Sequence, residues 1–280
     1  MCRRPLCGFI VGMPELPEVE TVARGLAPLA GLRIAKVEQH RKNLRFPLPR
    51  DLASRLVGQH VTRISRRAKY LLLQLSGGET LLVHLGMSGR LVINSGERKK
   101  HDHLVLHFTD GQTLTFNDPR RFGMVDLFHD RHKLLQALGP EPLSRAFTPK
   151  ALAANLKGKK TALKLALLDQ RVVAGLGNIY VCEALYHAGL SPKRMAGSVS
   201  AEECARLVPA IKKVLKAAIR AGGSSLRDYV QASGELGYFQ HNFAVYGREG
   251  QPCPTCTCRE SVRRFTQGGR STFWCAQKQR

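Results

Sequence analysis

The stretch HLVLHFTDGQTLTF, residues 103–116, decides how the first half of the chain folds. Short apolar, β-prone runs lie on either side of Asp110-Gly111, a pair suited to the backbone angles of a tight hairpin turn. The segment therefore predicts two antiparallel strands. Reading outward, YLLLQL (70–75), TLLVHLGM (80–87) and RLVIN (90–94) are of the same short, β-prone kind. The pattern holds from about residue 33 to 128 and predicts a β-sandwich or barrel.

Beyond LGPEPLS (138–144) the character changes to helical. Thr148 and Pro149 suit a helix cap and first position. Ser200 and Glu203 form a capping-box pair ahead of a long periodic run that stops at Gly222-Gly223. Pro209 lies inside that run and predicts a kink. Upstream of the β half, residues 14–27 carry a helix signal. Pro17 suits the first position, Glu18 and Glu20 the positive end of the dipole, and Val19, Val22, Ala23 and Leu26 recur at helical spacing. The chain closes with a basic, hairpin-like segment that bears cysteines. The fold class is α+β, with an extension over 1–13, a β domain with a leading helix over 14–140, a helical domain over 145–240 and a cysteine-bearing hairpin over 243–280.

Composition narrows the partner. Of 280 residues 43% are hydrophobic, enough for a real core and against global disorder. Forty-four basic residues against 21 acidic give a net charge of +23, so a polyanion is expected, DNA or RNA ahead of an anionic membrane. No apolar run is long enough to span a bilayer, and MCRRPLCGFIVG (1–12) is too short and glycine-broken for a signal peptide. A location inside the cell follows as an expectation. Four of the eight cysteines, Cys253, Cys256, Cys258 and Cys275, crowd the end of the chain, which in such a compartment reads as metal before disulfide.

PELPEVE (14–20) admits two readings. It is a well-capped helix start. It is also a nucleophile if Pro14 is freed as an N-terminus, because an α-amino group titrates near 8 and a secondary amine forms an iminium with an aldehyde-level carbon. That cation is an electron sink that eases β-elimination, and Glu15 stands next to it as an acid or base.

Six further motifs follow in order: RRAKYLLL (66–73), HLGMSG (84–89), KHDH (100–103), NDPRRFG (117–123), GLGNIYVCEAL (175–185) and GGRSTFWC (268–275). With PELPEVE they make the chain resemble the formamidopyrimidine-DNA glycosylase family, from Met13 to Arg280. PELPEVE, in place of PEGPE, leans away from the sister endonuclease VIII family. The resemblance implies an N-terminal β-sandwich, a helix–two-turns–helix domain and a zinc-finger hairpin. It also implies a monomer acting on double-stranded DNA with oxidised bases or abasic sites, in the cytoplasm at the nucleoid. It implies Pro14 as the nucleophile at C1′, Glu15 as the acid handling the sugar proton, and Glu18 as a further site carboxylate. Lys69 would serve β-elimination and phosphate contact, and Arg270 δ-elimination. His101, Arg120, Lys159 or its neighbour Lys160, and Asn178 match DNA contacts, while Met87, Arg120 and Phe122 match a trio that fills the gap left by a flipped base. Gly175 and Gly177 before Asn178 suit a helix N-terminus facing a phosphate.

Two features depart from the family. Lys278 stands where a fourth cysteine is usual, so one zinc ion would be held by Cys253, Cys256, Cys258 and Cys275 or by three residues, or the finger folds without metal. Twelve residues precede Met13, and with them attached the Pro14 nitrogen is an amide. The expectation is that they are absent from the working protein. The activity implied is excision of oxidised purines followed by β,δ-elimination. The rivals are a damaged-DNA binder without catalysis and a glycosylase for oxidised pyrimidines.

Overall fold

The computed structural model describes residues 13–224, 231–232, 236–256 and 261–280. Helix α1 (Leu16–Gly25) opens the described chain and is followed by β1 (Ile34–Gln39), a short α2 (Leu52–Leu56) and seven strands. These are β2 (Val61–Arg67), β3 (Tyr70–Leu75), β4 (Thr80–His84), β5 (Arg90–Ile93), β6 (Asp102–Phe108), β7 (Thr113–Asn117) and β8 (Met124–Phe128). They pair antiparallel in two four-stranded sheets, β1-β6-β7-β5 and β2-β3-β4-β8. Alternate residues face inward, and Leu73, Leu81 and Val125 of one sheet share a core with Leu106, Leu114 and Phe116 of the other. The sandwich expected from the sequence is present, and Asp110-Gly111 turns β6 into β7 with Gly111 at φ +87°.

After α3 (Lys133–Gln136) come α4 (Pro149–Leu156), α5 (Leu163–Leu168), α6 (Asn178–Ala188) and α7 (Ala201–Arg220). Thr148 caps α4 by accepting from the Ala151 N–H at 3.1 Å, and the Ser200–Glu203 capping box starts α7. Pro209 lies inside α7, which is one helix from Ala201 to Arg220. Pro209 has no N–H to give the Ala205 carbonyl, and both residues lie on the exposed face of the helix. Strands β9 (Arg263–Gln267) and β10 (Arg270–Trp274) form the terminal hairpin around Gly268-Gly269, both at positive φ as a two-residue turn requires. Phe273 and Cys275 of this hairpin join the helical core. No helix among the described residues is long and apolar enough to cross a membrane.

Helix α1 seams the two halves. Leu16 belongs to the helical core, while Val19, Val22 and Leu26 belong to the sandwich core. Pro17 takes the second helical position, not the first. Glu15 is the N-cap, and Glu18 completes a capping box by accepting the Glu15 N–H at 2.9 Å. Glu141, in the connection between the halves, accepts from Arg66 and Arg67 and from the Ala68 N–H, which locks the turn that presents Lys69.

Candidate active site

A cavity of about 540 Å³ opens along this seam, lined among others by Met13, Glu15, Lys69, Met87, Asn178 and Arg270. Five residues singled out from sequence, scattered from 15 to 270, thus share one space. Pro14, between Met13 and Glu15 in the chain, is buried and is not itself among the residues that line the cavity. Glu15 comes from the cap of α1 and meets the start of α6. Its carboxylate accepts the Ile179 N–H at 2.9 Å and the Tyr180 N–H at 3.4 Å. Two of the N–H groups at the start of α6 thus go to a protein carboxylate, which the positive end of the helix favours. Gly177 makes this possible: a Cβ there would lie 2.2 Å from Cδ of Glu15. Gly175, at φ +85°, lets the same loop close over Leu16, whose N–H bonds the Gly175 carbonyl at 3.1 Å.

Burial sets the electrostatics. Glu15 is 3% exposed, and desolvation pushes its carboxyl up to about 7, offset in part by Lys69 and reinforced by Glu18. Lys69 is 8% exposed, and desolvation lowers its pKa against the pull of Glu15 and Glu18. Each group is therefore brought nearer to neutral pH, where a proton moves in either direction at little cost. Glu18 does not line the cavity. It sits behind Glu15, accepting from Tyr180 and from the Ser224 N–H at 2.8 Å.

Arg270 begins β10, is exposed, and reaches the cavity from the hairpin turn. That turn is fastened by two donors to the Ser271 carbonyl: Asn178 Nδ2 at 2.9 Å and Lys164 Nζ at 3.1 Å. The Asn178 amide is thus spent inside the protein, also reaching the Tyr246 hydroxyl at 3.3 Å. Met87 lines the cavity. Arg120 and Phe122 stand on the neighbouring loop, the guanidinium 5.0 Å over a ring that is 44% exposed. Ser88 and Asp118 bond at 2.6 Å and tie the two loops. His101, Lys159 and Lys160 do not line the cavity. His101 packs edge-on to His103 at 6.4 Å, and the lysines follow α4.

Sequence reasoning passed over Tyr70, His84, Gln170, Tyr246 and Lys164. His84 lines the cavity, accepts the Gly86 N–H on Nδ1 at 3.0 Å, and is held neutral by burial and by Lys69, with a pKa pushed down to about 4. It heads the HLGMSG motif, which was its signal. Gln170 staples the glycine loop, donating to the Leu176 carbonyl at 2.9 Å and accepting from Gly175 at 2.8 Å. Nothing local in sequence announces Gln170, Tyr246 or Lys164.

At the other end of the hairpin the Sγ atoms of Cys253, Cys256 and Cys275 lie within 4.8 Å of one another, with Cys256 and Cys275 3.5 Å apart. Two of the three are buried. Zinc–thiolate bonds of about 2.3 Å imply sulfur–sulfur edges near 3.8 Å, so three thiolates at this spacing could hold a metal. Cys258 lies outside the described residues. Lys278 donates to Thr255 Oγ1 at 2.7 Å and covers the Tyr186 ring at 4.2 Å.

A two-lobed chain whose seam gathers a carboxylate, a lysine and an arginine around one cavity is the architecture that two family models describe. Residues 13–125 match the formamidopyrimidine-DNA glycosylase N-terminal domain, and residues 138–230 match the formamidopyrimidine-DNA glycosylase H2TH domain. The chain belongs to the formamidopyrimidine-DNA glycosylase family. A formamidopyrimidine-DNA glycosylase of Ruegeria pomeroyi is 57% identical over 96% of this chain and 100% of its own length. The MutM (Fpg) protein of Thermus thermophilus is 43% identical, with a TM-score of 0.85 over 95% of this chain and 98% of its own. A Lactococcus lactis Fpg mutant in complex with Fapy-dG-containing DNA is 34% identical, with a TM-score of 0.86 over 95% of this chain and 100% of its own.

Proposed function

We propose that the chain is a bifunctional DNA glycosylase and abasic-site lyase of base-excision repair, acting on duplex DNA that carries oxidised purines such as formamidopyrimidines and 8-oxoguanine. The observation that carries this is the placement of Glu15 and Lys69, both buried and both shifted toward neutrality, on one cavity beside the Pro14 segment. The working amine is Pro14, freed when the chain begins at Pro14 after loss of Met13. Two observations support this: the family match starts at residue 13, and the Ruegeria relative is covered whole by 96% of this chain.

The chemistry follows from the residues. The Pro14 nitrogen attacks C1′ and the base leaves, taking up the proton that this nitrogen loses. Glu15, protonated through its raised pKa, gives its proton to the sugar ring oxygen as the C1′–O4′ bond opens and the iminium forms. Withdrawal of the C2′ proton expels the 3′ oxygen, with Lys69 at the site of that transfer and of the phosphate. A second elimination expels the 5′ oxygen beside Arg270. Met87, Arg120 and Phe122 occupy the space vacated by the flipped nucleotide. His101, Lys159 and Lys160 contact the backbone, and Asn178 does so through its main-chain N–H, its side-chain Nδ2 being held by the Ser271 carbonyl. Cys253, Cys256 and Cys275, with Cys258 as the fourth candidate, would hold one zinc ion, which would brace the hairpin carrying Arg270. Glu18 supports Glu15. The enzyme works as a monomer in the cytoplasm, where its DNA is.

The test is cleavage of matched duplexes bearing formamidopyrimidine, 8-oxoguanine or an oxidised pyrimidine. Cleavage of the first two in preference to the third is expected. Preference for the pyrimidine, or tight binding with no cleavage, would replace this reading with one of its rivals.

A further inference from the structure

The loop at residues 40–50, HRKNLRFPLPR, carries Arg41, Lys42, Arg45 and Arg50 and no acidic residue. All four cations are exposed, and among the described residues none is in an ion pair. The loop is nonetheless built. Leu44 donates to the Phe46 carbonyl at 2.9 Å, Leu48 donates to the Lys42 carbonyl at 3.0 Å, and Leu48 plugs into the sandwich core. This scaffold holds Phe46 50% exposed, with the Arg45 guanidinium 5.4 Å over its ring. An ordered aromatic held in water among uncompensated cations is the footprint of a nucleic-acid surface.

Its location is specific. The Arg45 N–H donates at 3.2 Å to the carbonyl of Gly123, the residue after Phe122. Two arginine-over-phenylalanine pairs, Arg45–Phe46 and Arg120–Phe122, therefore stand on adjoining loops. After burial and Lys69, the charge of Arg45 is the next cause lowering the His84 pKa, so its field reaches the cavity wall. A guanidinium fork suits a phosphate better than any other ligand a DNA strand offers at its edge.

We propose that the loop from Arg41 to Arg50 is a second DNA-gripping element, in which Arg45, steadied by Phe46, holds a backbone phosphate beside the loop of Arg120 and Phe122. This rests on the glycosylase reading and extends it to residues outside the cavity. The grip is on the backbone, so it acts on damaged and undamaged duplex alike.

The experiment measures affinity for a duplex with an abasic-site analogue, and for its undamaged counterpart, across a salt series. Arg45→Ala is expected to weaken both by about 10-fold near 0.15 M salt and to lower the log–log salt slope by about 1. Arg45→Glu, equally tolerable at an exposed position, weakens both by about 100-fold. The deficit is one of binding, so raising the enzyme concentration restores the single-turnover rate. An unaltered slope and affinity in both variants would overturn the proposal, as would a loss confined to the damaged duplex. Borohydride cross-linking by the unmodified chain reports the glycosylase reading separately, because the salt slope is measurable whether or not a cross-link forms.

Discussion

Glu15 shows how one residue carries both a cost and a function. Its carboxyl titrates near 7 in the fold against 4.5 in the open chain. Between those values the folded chain keeps a proton that the unfolded chain releases, so stability falls as pH rises from about 4.5 to about 7 and stays low above. Glu15→Gln removes that penalty. The variant is expected to be more stable than the parent at pH 8, by up to about 3 kcal/mol, and little different at pH 4.5. Urea unfolding at a series of pH values checks this, and a difference independent of pH would contradict it. The same variant should lose base excision, because an amide has no proton to give. Sequence reading reached Glu15 through its neighbour Pro14. It missed Gln170 and Lys164, because a single glutamine or lysine looks like any solvated polar residue until the fold shows what it bonds.

Element packing explains why the site tolerates so little. The start of α6 and the cap of α1 interlock through Gly177, whose φ of −132° any residue can adopt. Only the contact forbids a side chain there. Gly177→Ala should therefore leave the fold intact and displace Glu15, lowering lesion cleavage on the order of 100-fold. Circular dichroism with a cleavage time course checks both halves of that statement. For the hairpin, metal analysis should find about one zinc per chain. Chelation or Cys275→Ser should release it, loosen the turn bearing Arg270 and weaken DNA binding; a metal-free protein with full binding would contradict this. Elements with strong local chemistry were legible in advance: the Asp110-Gly111 hairpin, the Thr148 cap and the Ser200–Glu203 box. Strands β1 and β2 announce themselves less, because IAKVEQ and VTRISRR interrupt their apolar residues with charges, some exposed and some, as at Arg66 and Arg67, paired with Glu20 and Glu141. Pro209 is accommodated within α7, on the helix face that water reaches.

At the scale of the whole molecule, two cores meet along α1, and the connection between them is strapped by Glu141 to Arg66, Arg67 and Ala68. The seam is where residues 15, 69, 178 and 270 converge, a fact no local pattern contains: Glu15 and Ile179 are 164 positions apart. Motif order pointed to the residues, and packing supplied the cavity. The central claim is that Pro14, freed at the N-terminus of this assembled seam, is the nucleophile. The measurement is borohydride trapping on a duplex with one 8-oxoguanine, comparing chain that begins at Pro14 with chain that retains Met1. A covalent protein–DNA species from the first alone, abolished when its terminal amine is acetylated, is the predicted result. Equal trapping by both forms would place the amine elsewhere. No trapping by either, with DNA binding intact, would leave a binder in place of an enzyme.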